Sequence, residues 1–201
     1  IAINTEDYLC LGEDQFLNDV IIDFYLKYLT LEVLSESDQQ RTHVFSSYFY
    51  KRLTSPHTQA VESNVPLTPA AKRHARVQKW TKNVNIFEKD FIIIPINEHA
   101  HWFLAIICFP GLVGPCILIF DSLAGASRAR VVATLRDYLS CEYVAKMGCE
   151  KVFSKDTIKG ASLKVPQQSN FTDCGLYVLQ YVESFFKNPI KDYTLPIKTL
   201  K

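Results

Sequence analysis

Three short apolar runs constrain this chain more than any other feature: "FIIIPI" (Phe91 to Ile96), "WFLAIICF" (Trp102 to Phe109) and "CILIFD" (Cys116 to Asp121). Successive side chains of a strand point to opposite faces. The latter two runs are apolar at both parities, so both faces need cover, which predicts central strands between two layers. Pro110, Gly111, Gly114 and Pro115 mark the loop between them. A further strand is expected from "EYVAKM" or "EKVFS".

Helical spacing surrounds this block. "FLNDVIIDFYLKYLTL" (Phe16 to Leu31) repeats apolar residues at helical steps, with Asn18 or Asp19 as cap. "HVFSSYFYKRL" predicts a second, short helix with Val44 and Tyr48 on one side, joined by Phe45 and Phe49. Thr54 to Pro69 has no period and reads as a surface loop. Thr68 then caps and Pro69 opens a helix expected over Ala70 to Lys82, with Val77, Trp80 and Val84 as its apolar stripe. Ser127 to Leu139 resumes helical spacing, and a last helix runs from near Cys174 until Pro189 stops it. Helices, then strands, then helices argue for one α+β domain spanning 1–201.

Composition narrows the class. Hydrophobic residues are 48% of 201, and 22 Lys and Arg nearly balance 21 Asp and Glu, as in a globular protein without a bias toward nucleic acid or membranes. No apolar stretch reaches about 20 residues, so no membrane span is expected. The six cysteines, Cys10, Cys108, Cys116, Cys141, Cys149 and Cys174, lack the paired spacing of a zinc site, so no metal is expected and the thiols are read as reduced and intracellular.

Chemistry concentrates in "PQQSNFTDCG" (Pro166 to Gly175). A cysteine at a helix N-terminus gains amide donors and a dipole end that favour the thiolate. Cys174 has that place, with Thr172 or Asp173 as cap and with Gly175 expected to leave room for a substrate backbone. Because free cysteines are commonly buried, the position alone fits core packing equally well. A nucleophilic thiol needs a base and a group to orient it. His43, His57 and His74 read as solvated surface residues, whereas His99 and His101 lead directly into a central strand. Asp121 closes the next strand, where a carboxylate needs a partner or solvent. An oxyanion donor is available from Gln168 or its neighbour Gln167, together with the Cys174 N–H. The basic run "KRHARVQK" is read as the solvated faces of an amphipathic helix rather than a nucleic-acid surface.

In their order, "FLND", "HW" before a strand, "FDS" and "PQQSNFTDCG" resemble the sentrin/SUMO-specific (Ulp-type) cysteine proteases. "HVFSSYFYKRL", "WTKNVNIFEKDF" and "LQYVESFFKNPI" are similar to the divergent branch holding the sixth and seventh sentrin-specific proteases. The resemblance covers nearly the whole chain. It implies a papain-like fold, a central mixed sheet flanked by helices with chain order His-Asp-Cys. On it His101 is the general base, Asp121 its orienting partner, Cys174 the nucleophile and Gln168 an oxyanion donor. Trp102 lies over an extended diglycine, Phe16 stands where most members have a second Trp, and Asp19 contacts the SUMO surface. The implied activity is a SUMO isopeptidase that edits SUMO-2/3-type chains, without cofactor, as a nuclear monomer. A protease for another ubiquitin-like modifier, a non-catalytic SUMO-binding module and an acyltransferase are the alternatives. The short "FPGLVGPC" connection and the stop at "LPIKTLK" lead to the expectation of branch insertions and a terminal segment outside this sequence.

Overall fold

The computed structural model describes residues 1–56 and 66–197. One five-stranded sheet runs in the order β1-β2-β3-β4-β5. Its strands are β1 (Thr42–Val44), β2 (Phe91–Glu98), β3 (His101–Cys108), β4 (Cys116–Phe120) and β5 (Lys159–Ser162). The three central strands pair antiparallel, while β1 and β5 add parallel edges. The helices are α1 (Thr5–Leu9), α2 (Asp19–Tyr28), α3 (Glu36–Gln40), α4 (Phe49–Thr54), α5 (Pro69–Val77), α6 (Ala129–Met147) and α7 (Cys174–Lys187). This is the α+β architecture that the order of elements implies, with the mixed sheet expected from the family resemblance.

Two cores explain why β3 and β4 are apolar throughout. Phe103, Ala105, Ile107, Ile117 and Ile119 pack with Phe49, Val77 and Leu135 of α4, α5 and α6. Trp102, Leu104, Ile106, Leu118 and Phe120 pack with Ile22, Leu26, Val178 and Val182 of α2 and α7. Each strand thus feeds alternate residues to opposite layers, and both layers exclude water.

Local expectations shift where capping or tertiary pairing outweighs period. Helix α2 starts at Asp19 with Asn18, one of the two expected caps, accepting the Ile21 N–H at its Oδ1 at 3.0 Å. It passes into a π-helical turn at Leu29–Val33. Part of the expected second helix is β1, recruited by parallel pairing of Thr42 to Val44 with Phe91 to Ile93. "EYVAKM" lies in α6 and "EKVFS" is not a strand; the fifth strand is Lys159–Ser162. That segment had no apolar alternation to announce it, since three of its four residues are exposed. The expected Ala70–Lys82 helix is α5 followed by a 3-10 turn at Gln78–Thr81. The loop expected over Thr54 to Pro69 lies partly outside the described residues, as does His57.

The buried stripe of that segment is His74, Val77 and Thr81, while Trp80 is 39% exposed. Rather than being solvated, His74 is buried and its Nε2 meets Glu142 Oε2 at 2.6 Å. Thr81 Oγ1 donates to Glu142 Oε1, also at 2.6 Å. A buried carboxylate is tolerated here because both oxygens are engaged. His43 is half-buried too, and burial, helped by Lys89, pushes its imidazole down to about 4.

Between β2 and β3 the turn is two residues, His99 and Ala100, with φ of 51° and 58°. Both occupy the left-handed region demanded by the tight hairpin turn, where Asn-Gly is the usual pair. Ala100→Gly should therefore stabilise the fold by about 1 kcal/mol, read as a higher urea midpoint. Glu142→Ala strands the buried Thr81 and His74 groups and should cost about 3 kcal/mol in the same titration. An unchanged midpoint in either variant would contradict the corresponding account.

Candidate active site

Cys174 opens α7, a 14-residue helix whose first amides have no helical acceptor. Neither Thr172 nor Asp173 caps it through a side chain. The preceding loop is held by Asn170, whose Oδ1 accepts the N–H groups of Thr172 and Asp173 at 3.2 and 3.0 Å. Its Nδ2 donates to Asp173 Oδ2 at 2.8 Å. The sulfur receives backbone N–H groups from Gly175 and Trp102 and hydrogen-bonds with His101. Cys174 is both things the sequence left open, a core residue of the α2–α7 layer and the focus of donors. Gly175 is small for packing: a Cβ there would lie 2.9 Å from Leu17 Cβ. The space opposite it belongs to Leu17 rather than to a substrate.

His101 is the first residue of β3, and Asp121 follows the last residue of β4. They share the parity of Phe103 and Ile119, whereas Cys174 packs on the opposite layer. Beyond the end of the ladder, side chains from the two layers can meet. His101 Nε2 hydrogen-bonds Asp121 Oδ1 at 2.7 Å, and the imidazole also engages the Cys174 thiol. His99 remains in the hairpin turn.

The electrostatics favour a thiolate–imidazolium pair. Hydrogen bonds with Asp121 and Cys174 outweigh desolvation and push His101 up to about 9. Burial would raise the Cys174 thiol, but the hydrogen bonds from His101, Trp102 N–H and Gly175 N–H leave it below its ordinary value. Burial would likewise raise Asp121, yet His101, the Leu123 N–H and Arg128 hold it below the usual carboxylate range. Arg128, from the lead-in to α6, reaches Asp121 Oδ2 with Nε at 3.0 Å and Nη2 at 2.9 Å. Sequence reasoning did not find Arg128, which lies seven residues beyond Asp121 across a polar loop and has no spacing rule to mark it.

Gln168 is buried, with Oε1 accepting the Ser122 hydroxyl at 2.5 Å and Nε2 donating to Asn170 O at 2.8 Å. This fixes which end of the amide is the donor and leaves its second N–H for another acceptor. Gln167 is a structural tie: Oε1 accepts Ala124 N–H at 2.6 Å, and Nε2 donates to Asp121 O at 3.0 Å and Val165 O at 3.1 Å. The two glutamines therefore bind the loop after Asp121 to the loop before Cys174. Ser122, next to Asp121 in "FDS", was visible as a motif letter but not as the anchor of Gln168.

Trp102 is buried at 4% exposure and donates its indole N–H to Leu17 O at 2.9 Å. That bond fixes the segment carrying Phe16, whose side chain is exposed. Asp19, the first residue of α2, lies beside the Tyr48 hydroxyl and pushes that phenol up. All six cysteines are free. Among the described residues, no three metal-ligating side chains cluster, and no helix is long and apolar enough to cross a membrane.

Residues 15–199 match the model of the Ulp1 protease family, C-terminal catalytic domain. Sentrin-specific protease 7 of Homo sapiens is 40% identical over 256 residues, covering 98% of this chain and 24% of that protein. Sentrin-specific protease 6 of Mus musculus is 29% identical over 391 residues, covering 100% of this chain and 34% of the relative. The chain thus spans about a quarter to a third of these relatives. A solved structure described as a de-sumoylating protease superposes with a TM-score of 0.76 at 29% identity, covering 94% of this chain and 69% of that one. With a thiol, an imidazole and a carboxylate joined at the end of one mixed sheet, and a family match that runs through all three, the chain belongs to the Ulp1 protease family.

Proposed function

We propose that the chain is a thiol isopeptidase that removes SUMO from conjugates, with SUMO-2/3-type chains as the preferred substrate. The observation that carries this reading is the hydrogen-bonded row Cys174, His101 and Asp121 in a chain of this family. The Cys174 thiolate attacks the carbonyl carbon of the terminal glycine, and the oxyanion is held by Gln168 and the Cys174 N–H. The His101 imidazolium gives its proton to the lysine nitrogen as the isopeptide C–N bond breaks. A water molecule then loses a proton to neutral His101 and attacks the thioester, returning the thiolate and a free glycine carboxylate. No step calls on a metal or organic cofactor.

Trp102 and Phe16 line the approach to Cys174 in this reading, with Trp102 over the diglycine, where any side chain would collide. Asp19, at the start of α2, contributes to the modifier-binding surface. A protease for another ubiquitin-like modifier would use the same reaction, and a panel of electrophilic modifier probes separates the two. Preferential labelling of Cys174 by SUMO-2 supports the proposal, and preferential labelling by a different modifier displaces it.

Cys174→Ala should lower turnover of purified SUMO-2 chains by more than about a thousandfold while the fold survives. Undiminished cleavage would end the thiol reading. Gln168→Ala should lower kcat by about a hundredfold with KM little changed, since its contact forms with the oxyanion. A raised KM with kcat unchanged would place Gln168 in ground-state binding instead. For pH, the imidazolium is the required form during acylation, and its raised pKa keeps it present below about 9. The acylation rate should therefore fall as pH rises through about 9, and fall on the acid side only below the ordinary range of a thiol, as the depressed Cys174 is protonated. Single-turnover cleavage across pH measures both limbs, and an alkaline limb near the ordinary histidine value would refute the pair.

A further inference from the structure

Asp121 receives three hydrogen bonds and one further close cation contact. His101 Nε2 and the Leu123 N–H reach Oδ1 at 2.7 and 3.0 Å, and Arg128 Nε and Nη2 reach Oδ2 at 3.0 and 2.9 Å. Both carboxylate oxygens are thus engaged, Oδ1 by the imidazole and a backbone amide and Oδ2 by the guanidinium. Arg128 is the side chain that engages Oδ2. The side chains of the pair are only 13% and 11% exposed, which limits screening and sets it apart from an ordinary surface ion pair.

Arg128 is itself held from two directions. Its guanidinium carbon lies 3.9 Å from the centroid of the Phe103 ring, and its backbone is the N-cap position of the 19-residue α6. The same Phe103 ring lies nearly parallel to the His101 ring, with centroids 6.3 Å apart and 19° between planes. Imidazole and guanidinium thus share one buried aromatic neighbour, two residues along β3 from His101. Tyr181 of α7, the other titratable group influenced by Asp121, stays a neutral phenol because burial pushes it up.

We propose that Arg128 is a positioning residue for the thiol reaction, acting through Asp121 to hold the His101 imidazole in its orientation toward Cys174. Two effects of the guanidinium oppose each other. Its charge alone disfavours a second cation nearby, whereas its Nε bond to Oδ2, with Nη2 close beside it, hinders the carboxylate from rotating away from His101 Nε2. The second effect dominates, because Arg128 binds the far oxygen and leaves Oδ1 to the imidazole. A lysine would supply the charge without the planar group that both meets Oδ2 and lies over Phe103.

The test is the Cys174 titration, followed by ultraviolet thiolate absorbance against matched Cys174→Ala controls in the wild-type, Arg128→Met and Arg128→Lys backgrounds. In Arg128→Met the thiol midpoint should rise by about one pH unit, with Arg128→Lys between it and the wild type. In parallel, kcat on SUMO-2 chains should fall about tenfold in Arg128→Met with KM within about twofold. An unchanged or lowered midpoint overturns the proposal, as does a loss of kcat without any midpoint shift. Should Arg128→Met melt below the assay temperature, Arg128→Lys decides alone: an intermediate rise supports the proposal and a wild-type midpoint refutes it. The inference rests on the thiol-protease reading, yet the titration needs no modifier. A raised midpoint in a chain whose wild type cleaves no SUMO would uphold Arg128 and reject the SUMO assignment.

Discussion

The hydrogen bond from His101 Nε2 to Asp121 Oδ1 spans a gap that the sheet itself does not close. The last ladder pair between β3 and β4 at this end is Leu104 with Phe120, so His101 and Asp121 lie beyond the regular pairing. Their positions are nevertheless fixed, because each is continuous with a strand buried on both faces. A one-residue register slip would exchange the two cores and place every apolar side chain in the wrong layer. Core packing therefore sets the geometry of the candidate site at the open end.

From α7 to α6 the site forms a row of thiol, imidazole, carboxylate and guanidinium in which each neighbour favours the charged form of the next. Each member comes from a different element. Burial alone would neutralise the thiol and the carboxylate, so the row exists only because each charge has an opposite neighbour and directed hydrogen bonds. The two glutamines then tie the chain carrying the carboxylate to the chain carrying the thiol, which keeps the row from opening at its middle.

Much of this was legible before any coordinates. The double parity of "WFLAIICF" and "CILIFD" located the sheet centre, and the order of histidine, aspartate and cysteine identified the groups that the sheet brings together. Edge strands β1 and β5 were not legible, being short and made by pairing rather than by their own alternation. The buried His74 was misread for a related reason: a polar helix segment gives no hint that Glu142, 68 residues later, will cover it. Gly175 looked like room for substrate until Leu17 was seen to occupy the space. Arg128 was hidden because its role depends on a loop path, and neither helical nor strand period records one.

The two-residue turn at His99 and Ala100 has a consequence for how related chains can vary. His101 follows it without an intervening residue, and its side chain faces the layer of Phe103 only while Glu98 stays opposite His101. Adding or deleting one residue there would present the imidazole to the opposite face, unlike a length change at the far hairpin around the fully exposed Val113. Viable length variation should accumulate at the distal end of β3, leaving the proximal turn fixed in length even where its residues change.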